Sequence, residues 1–286
     1  APSMTTATPG GSTSSTNSVC HSHSMHRNRS VIIARALALI LATGVGFMGT
    51  MTSGNNSVSA TPNSTLTGKI ILLDPGHQLG NSNPRFAKQM AKKKFNGTTV
   101  KGCNTTGTAT NSGYPEATFN WKVARQLKRM LEAQGAQVEM TRSSNSRQAW
   151  GPCVWDRAMQ ANSIGADAMI NIHADGARAK GRGFFVLAPG PVKGWTKDVV
   201  KPGRQLARAM ISGMTKSGAP PSNYIANQLM ISTNTTGLNF SNVPTVTVEL
   251  GNMRNASDAR RMTSAKGQRQ YATWLLAGLQ KYFSHR

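Results

Sequence analysis

From Lys69 to Phe283 the chain alternates short runs of strand character with longer segments whose apolar residues recur at helical spacing. This alternation restricts the possible folds more than any other property of the sequence. Strands are predicted at Lys69–Leu73, Gln137–Thr141, Asp167–Ile172, Phe184–Leu187, Leu229–Ile231 and Thr245–Leu250. Helices are predicted over Pro115–Gln134, Val154–Ile164, Val199–Lys216 and most of Ser257–Phe283. Phe119, Val123, Leu127, Met130 and Leu131 lie on one face of the first helix, and Gly135 is placed to stop it. Such an order calls for a layered α/β domain around a mixed sheet. The segment between the first strand and the first helix runs to about 40 residues, and connections that long tend to carry function.

What precedes Lys69 reads differently. Residues 1–24 are rich in Ser, Thr and Gly and are expected to form a disordered polar extension. Residues 25–60 open with the basic stretch Met25–Ser30, continue into an apolar run ending near Met51, and reach the small-residue site Val58-Ser59-Ala60. That run is short for a spanning helix and ordinary for an export signal. An uncleaved anchor, touching membrane only through residues 31–51, is the alternative, and Met25 is a candidate start of translation. Residues 61–286 are expected to form one domain.

That domain carries 30 basic against 10 acidic residues, a net charge of +20. A field of this size attracts polyanions, whether nucleic acid, anionic lipid or an acidic wall polymer, and binding through it should weaken with salt. Aromatic residues are only 6% of the chain and no nucleic-acid motif accompanies the charge, so a nucleic-acid partner is not expected. Cys103 and Cys153 sit in loop-like surroundings, which in an exported domain suggests one disulfide; two free thiols are the cytosolic alternative.

Only two of the six histidines, His77 and His173, fall inside the domain and away from its end. His77 follows the first strand through Asp74-Pro75-Gly76, His173 follows the Asp167–Ile172 strand, and Glu249 ends the Thr245–Val248 run. Sites in open α/β sheets form outside the carboxyl ends of strands. Glu116 begins the first helix, where negative charge is favoured. Two imidazoles and a carboxylate suit Zn²⁺ with a fourth position open to water, and a second carboxylate can then move protons. None of these residues has the local spacing of a metal motif, and satisfied core histidines are the competing reading.

The blocks Asp74-Pro75-Gly76-His77, Pro115-Glu116-Ala117-Thr118-Phe119-Asn120, Asn171-Ile172-His173-Ala174-Asp175 and Pro244–Gly251 occur in this order. Together they resemble the signature blocks of the zinc-dependent N-acetylmuramoyl-L-alanine amidases, above all short actinobacterial members. Thr141-Arg142, Arg157-Ala158 and Ala161-Asn162 add to the likeness, which covers about residues 69–283. The resemblance implies a twisted, mostly parallel mixed sheet flanked by helices in a single catalytic domain. It implies His77, Glu116 and His173 as zinc ligands, Glu249 as the catalytic carboxylate, and peptidoglycan or its muropeptides as substrate.

It further implies a secreted, periplasmic or wall-bound enzyme. Asp74 and Asn171 are candidates for orienting the ligands. Departures from the family pattern are Gln78-Leu79-Gly80 after the first histidine, Ala117 in place of a basic residue, and Asn252-Met253 in place of an aromatic. Some members insert an autoinhibitory helix after the strand that follows the second histidine. Here Ala188–Val199 is Gly/Pro-rich, and no such plug is expected. Arg85, Lys88, Lys92, Lys93, Lys94 and Lys101 are expected to border the cleft, with the disulfide tying their loop to the Val154–Ile164 helix. A monomer is expected, holding anionic wall polymer through its basic surface. The competing functions are a zinc peptidase acting on stem peptides or crossbridges, and a non-catalytic basic wall-binding protein.

Overall fold

The computed structural model describes residues 64–284; the polar extension and the export signal or anchor expected before Thr61 lie outside the described residues. Strand β1 (Ile70–Pro75) explains the architecture. Its Ile71 and Leu73 point into the main core beside Phe119, Val123 and Leu127 of helix α2 (Glu116–Glu132), while Leu72 packs with Ala161 and Met169 on the opposite side. A strand covered on both faces has no solvent side to make polar, so its sequence is a continuous apolar run.

The segment between β1 and α2 is not a bare loop. It holds two 3-10 turns, a single turn of helix α1 (Ala87–Met90) and an antiparallel hairpin of β2 (Lys93–Phe95) and β3 (Val100–Gly102). After α2 come β4 (Gln137–Met140), α3 (Val154–Ser163), β5 (Ala168–Asp175), β6 (Phe185–Pro189) and α4 (Val200–Lys216). The chain ends through β7 (Leu229–Ser232), the short α5 (Thr236–Asn239), β8 (Thr245–Asn252), α6 (Ala256–Thr263) and α7 (Ala265–Phe283).

The main sheet has six strands in the order β4-β1-β5-β8-β6-β7. Every neighbouring pair is parallel except β6 with β8, so the sheet is mixed and mostly parallel, flanked by helices. Helices α2, α4 and α7 bury one face through residues such as Phe119, Met210, Tyr271 and Leu275. Helix α3 covers part of the other.

Three details depart from the sequence reading. The single helix expected over Ser257–Phe283 is broken at Ser264, whose side chain accepts from the Gly267 amide and starts α7. Strands β1, β5 and β8 run two or three residues further than their apolar runs, so His173 lies within β5 and not beyond it. Helix α5 had no clear periodic signal at four residues. Residues 190–199 contain turns and no helix. Cys103 and Cys153 are joined, and the Val154 amide donates to the Cys103 carbonyl at 2.8 Å, which ties the β1–α2 segment to the start of α3. Among the described residues no helix is long and apolar enough to cross a membrane.

Candidate metal centre

The turn after β1 is fastened from three sides. Arg157, 1% exposed on α3, donates through Nη1 to Asp74 Oδ1 at 2.6 Å and to the Pro75 carbonyl at 3.1 Å, and through Nη2 to the His77 carbonyl at 3.1 Å. Arg142, also buried, donates to the carbonyls of Pro75 and Ala117, both at 2.8 Å. The Thr141 hydroxyl donates to Asp74 Oδ1 at 2.6 Å. Burial alone would raise the Asp74 carboxyl; the Arg157 guanidinium and the Thr141 hydrogen bond outweigh it and hold the group below its ordinary range. Burial, with Arg157 nearby, lowers Arg142 to about 9, which leaves it charged at neutral pH. These bonds hold His77 at φ 62°, a left-handed conformation that a non-glycine residue rarely adopts.

Two glycines let the backbone come close to the centre. A Cβ on Gly76 would fall 2.2 Å from His173 Cε1, and one on Gly107, at φ +77°, would fall 2.6 Å from Glu116 Oε2.

His77, Glu116 and His173 converge, each offering a ligand atom within 4.8 Å of the others. Glu116 spans the two rings, with Oε2 3.1 Å from His77 Nε2 and Oε1 3.0 Å from His173 Nδ1. The imidazole centroids are 4.9 Å apart and nearly perpendicular. His77 Nδ1 lies 3.0 Å from the Thr105 carbonyl and 3.1 Å from the Thr105 hydroxyl; the carbonyl, which can only accept, pairs with the tautomer protonated at Nδ1. In the neutral ring Nε2 then presents a lone pair to a carboxylate oxygen. Two acceptors face each other across 3.1 Å, an arrangement that a divalent cation between them resolves. By donor type and tautomer, the three side chains fit zinc.

Glu116 is held by more than its helix. It accepts from the Thr108 amide at 2.9 Å, the Ala174 amide at 3.2 Å and Asn120 Nδ2 at 3.2 Å. Burial pushes its carboxyl up, and the facing His77 and His173 outweigh that and hold it well below the usual range.

Glu249 on β8 is in register with His173 on β5, so the two side chains leave the same face of the sheet on adjacent strands. Its Oε2 is buried without a hydrogen-bond partner. Burial, then the charges of Glu116 and Asp175, push this carboxyl well above its ordinary value. Glu249 and His173 line a cleft of about 280 Å³. A second cleft of about 200 Å³ reaches His77 and shares Asp74, Val154, His173 and Thr236 with the first.

The four side chains singled out in the sequence therefore meet at one end of the sheet. Of the two candidates for orienting ligands, Asp74 acts on His77 only through Arg157, and Asn171 donates to Thr247 Oγ1 at 3.1 Å instead of to a histidine. Of the six basic residues expected at the cleft, Lys101 alone lines it, while Lys94 lies over the Phe240 ring at 5.0 Å. The sequence by itself gives no role for Thr105, Thr108 or Asn120, and no partners for Arg142 or Arg157. Asn120 was the findable one: four residues after Glu116, it shares that helix face.

Two departures from the family pattern have structural roles. Gln78 donates to the Ser144 carbonyl and accepts from the Leu79 and Ser146 amides, and Asn252 donates to the carbonyls of Arg178 and Gly181.

Comparison with known proteins agrees with this geometry. The chain is 37% identical over 225 residues to the N-acetylmuramoyl-L-alanine amidase Rv3717 of Mycobacterium tuberculosis, covering 78% of this chain and 90% of that protein. The crystal structure of the N-acetylmuramyl-L-alanine amidase Ami1 from Mycobacterium smegmatis superposes with a TM-score of 0.72 at 35% identity, over 78% of this chain and all of that one. Ami1 of Mycobacterium abscessus gives 0.69 at 36% identity, over 76% of this chain and 99% of that one. A family profile described as N-acetylmuramoyl-L-alanine amidase matches residues 71–281, and the chain belongs to that family.

Proposed function

We propose that this protein is a zinc-dependent peptidoglycan amidase that hydrolyses the amide between N-acetylmuramic acid and the L-alanine of the stem peptide. The observation that carries the reading is the Glu116 carboxylate spanning His77 and His173 beside the unpartnered carboxyl of Glu249. His77, Glu116 and His173 would hold the metal. A zinc ion bound there would supply Lewis-acid polarisation of the scissile carbonyl and a nucleophilic water near neutral pH.

Everything else falls to the protein. Arg157, Arg142 and Asp74 keep the His77 turn in its left-handed conformation, and the Thr105 carbonyl keeps the Nδ1 proton in place so that Nε2 faces inward. Glu249 is the general base that takes a proton from the attacking water and the general acid that returns one to the leaving L-alanine nitrogen. The new carbon–oxygen bond replaces the broken carbon–nitrogen bond, and the products are a lactyl carboxylate and a free amine. A carboxyl raised by burial and by Glu116 is suited to both halves of that exchange near neutrality.

Arg27 and Arg29 and the apolar run after them support export, and the net charge of +20 on residues 61–286 supports retention on anionic wall polymer. The test is muropeptide digestion followed by mass analysis, in parallel with Glu249→Gln. Free stem peptide with an unsubstituted L-alanine amine is expected. The variant should keep its zinc while turnover falls at least ~10²-fold. Cuts within the stem peptide would replace this reading with a peptidase. A variant indistinguishable from wild type would remove Glu249 from the chemistry.

A further inference from the structure

The face of the sheet that carries His173 and Glu249 has a second polar row one step deeper. Asp74, Asn171 and Thr247 lie in register across β1, β5 and β8, with Leu187 of β6 opposite Thr247. This row forms part of the wall of the 280 Å³ cleft that opens beside Glu249. Asn171 is 3% exposed, and its Nδ2 donates to Thr247 Oγ1 at 3.1 Å. Its Oδ1 is buried and has no partner. Apart from Glu249, no other residue lining this cleft has a buried polar side-chain atom in that condition, among the described residues.

A buried amide oxygen left unpaired is costly, and a ligand group that pairs it removes that cost. The surroundings limit what that ligand can be. No Lys or Arg lines the cleft, and of its two carboxyl groups Asp74 is already paired with Arg157, so the lining offers no side chain built to hold an anion. Val154 and Leu187 supply an apolar wall. Gly237 leaves the room: a Cβ there would sit 3.1 Å from Asn171 Nδ2. The cleft therefore suits a small neutral group that presents an N–H to Asn171 and a methyl to the wall. An acetamido group has both. Were the Asn171 amide turned over, its NH₂ would face the cleft and the acetamido carbonyl would accept, so either orientation finds a partner.

We propose that this cleft receives the 2-acetamido group of the muramic acid ring, and that Asn171 is the specificity-determining residue that reads it. The inference rests on the amidase reading above and adds the recognition of the sugar to it. It predicts that the enzyme discriminates on a group remote from the scissile bond.

The experiment compares kcat/KM of the full chain on N-acetylmuramoyl-L-alanyl-D-isoglutamine and on the neutral analogue bearing a hydroxyl in place of the acetamido group. Wild type is expected to prefer the acetamido substrate by at least about tenfold, because a site built to pair a polar group rejects the analogue lacking it. Asn171→Ala is expected to remove most of that preference. A second measurement needs no variant: N-acetylmuramic acid should inhibit wild type more strongly than its 2-hydroxy analogue. Equal turnover of both substrates by wild type, equal inhibition by both products, or an Asn171→Ala variant that slows both substrates alike would overturn the proposal. Failure to hydrolyse either substrate would overturn the amidase reading, and this inference with it.

Discussion

Replacing Arg157 by Met tests the claim that a buried ion pair holds the His77 turn. Arg157 is 1% exposed and its partner Asp74 is 6% exposed, with 2.6 Å between Nη1 and Oδ1. Methionine fills much of the arginine stem but donates nothing. The Asp74 carboxylate then keeps only the Thr141 hydroxyl as a direct partner, and the carbonyl of His77 loses a donor. Breaking one side of a buried pair costs about 3–5 kcal/mol, because it strands the other charge. For a domain of this size that is a fall in Tm of roughly 6–20 °C.

The pH dependence gives the sharper check. In wild type the folded Asp74 carboxyl lies below its unfolded value, so its contribution is fully present above the unfolded pKa and is lost as pH falls through the folded one. In the variant, burial acts without Arg157 and drives the folded pKa above the unfolded value. The penalty is then largest near neutrality and shrinks as acid protonates Asp74. Urea unfolding of both proteins at neutral pH and at about pH 4.5, close to the ordinary carboxylate range, measures the difference. Asp74→Asn added to Arg157→Met should recover much of the loss at neutral pH, since it removes the stranded charge. A neutral-pH deficit under about 1 kcal/mol, or a deficit that does not change with pH, would refute the reasoning.

Two further outcomes follow from the same geometry. Gly76→Ala places a methyl 2.2 Å from His173 Cε1, so bound zinc, read by elemental analysis, should fall and kcat/KM should drop by about 10²-fold; full metal content with unchanged turnover would contradict the close approach. Replacing Cys103 and Cys153 together by Ser opens a closure between residues 50 apart and should cost about 2–4 kcal/mol in denaturant unfolding, whereas an unchanged midpoint would mean that the link adds nothing to stability.

Most elements could be read from the chain because each is covered by apolar neighbours on one face or two. The run Ile70–Leu73 and the helical stripe Phe119–Leu131 announce burial through composition alone. The break at Ser264 could not be read in this way, since residues 263–270 carry no large apolar side chain to show a period and only the side-chain cap marks the restart. Helix α5 is too short to show a period, and the β2–β3 hairpin has exposed apolar residues, Phe95 and Val100, where a solvent-facing turn would be expected to be polar.

The candidate site divides along the same line. The linear sequence determined which residue types were available: two histidines in the domain away from its end, few acids, and four of these residues at the ends of strands or the start of a helix. The parallel pairing of β1, β5 and β8 is what collects those ends on one side of the sheet. Only the tertiary structure decided that His77 adopts φ 62°, that Arg157 reaches it from 80 residues away, and that Asn171 faces a cleft with its oxygen unpaired. Periodicity reports the face a side chain leaves. Tautomer, hydrogen-bond partner and carboxyl pKa depend instead on distances of about 3 Å between groups remote in sequence, and these exist only once the layers have packed.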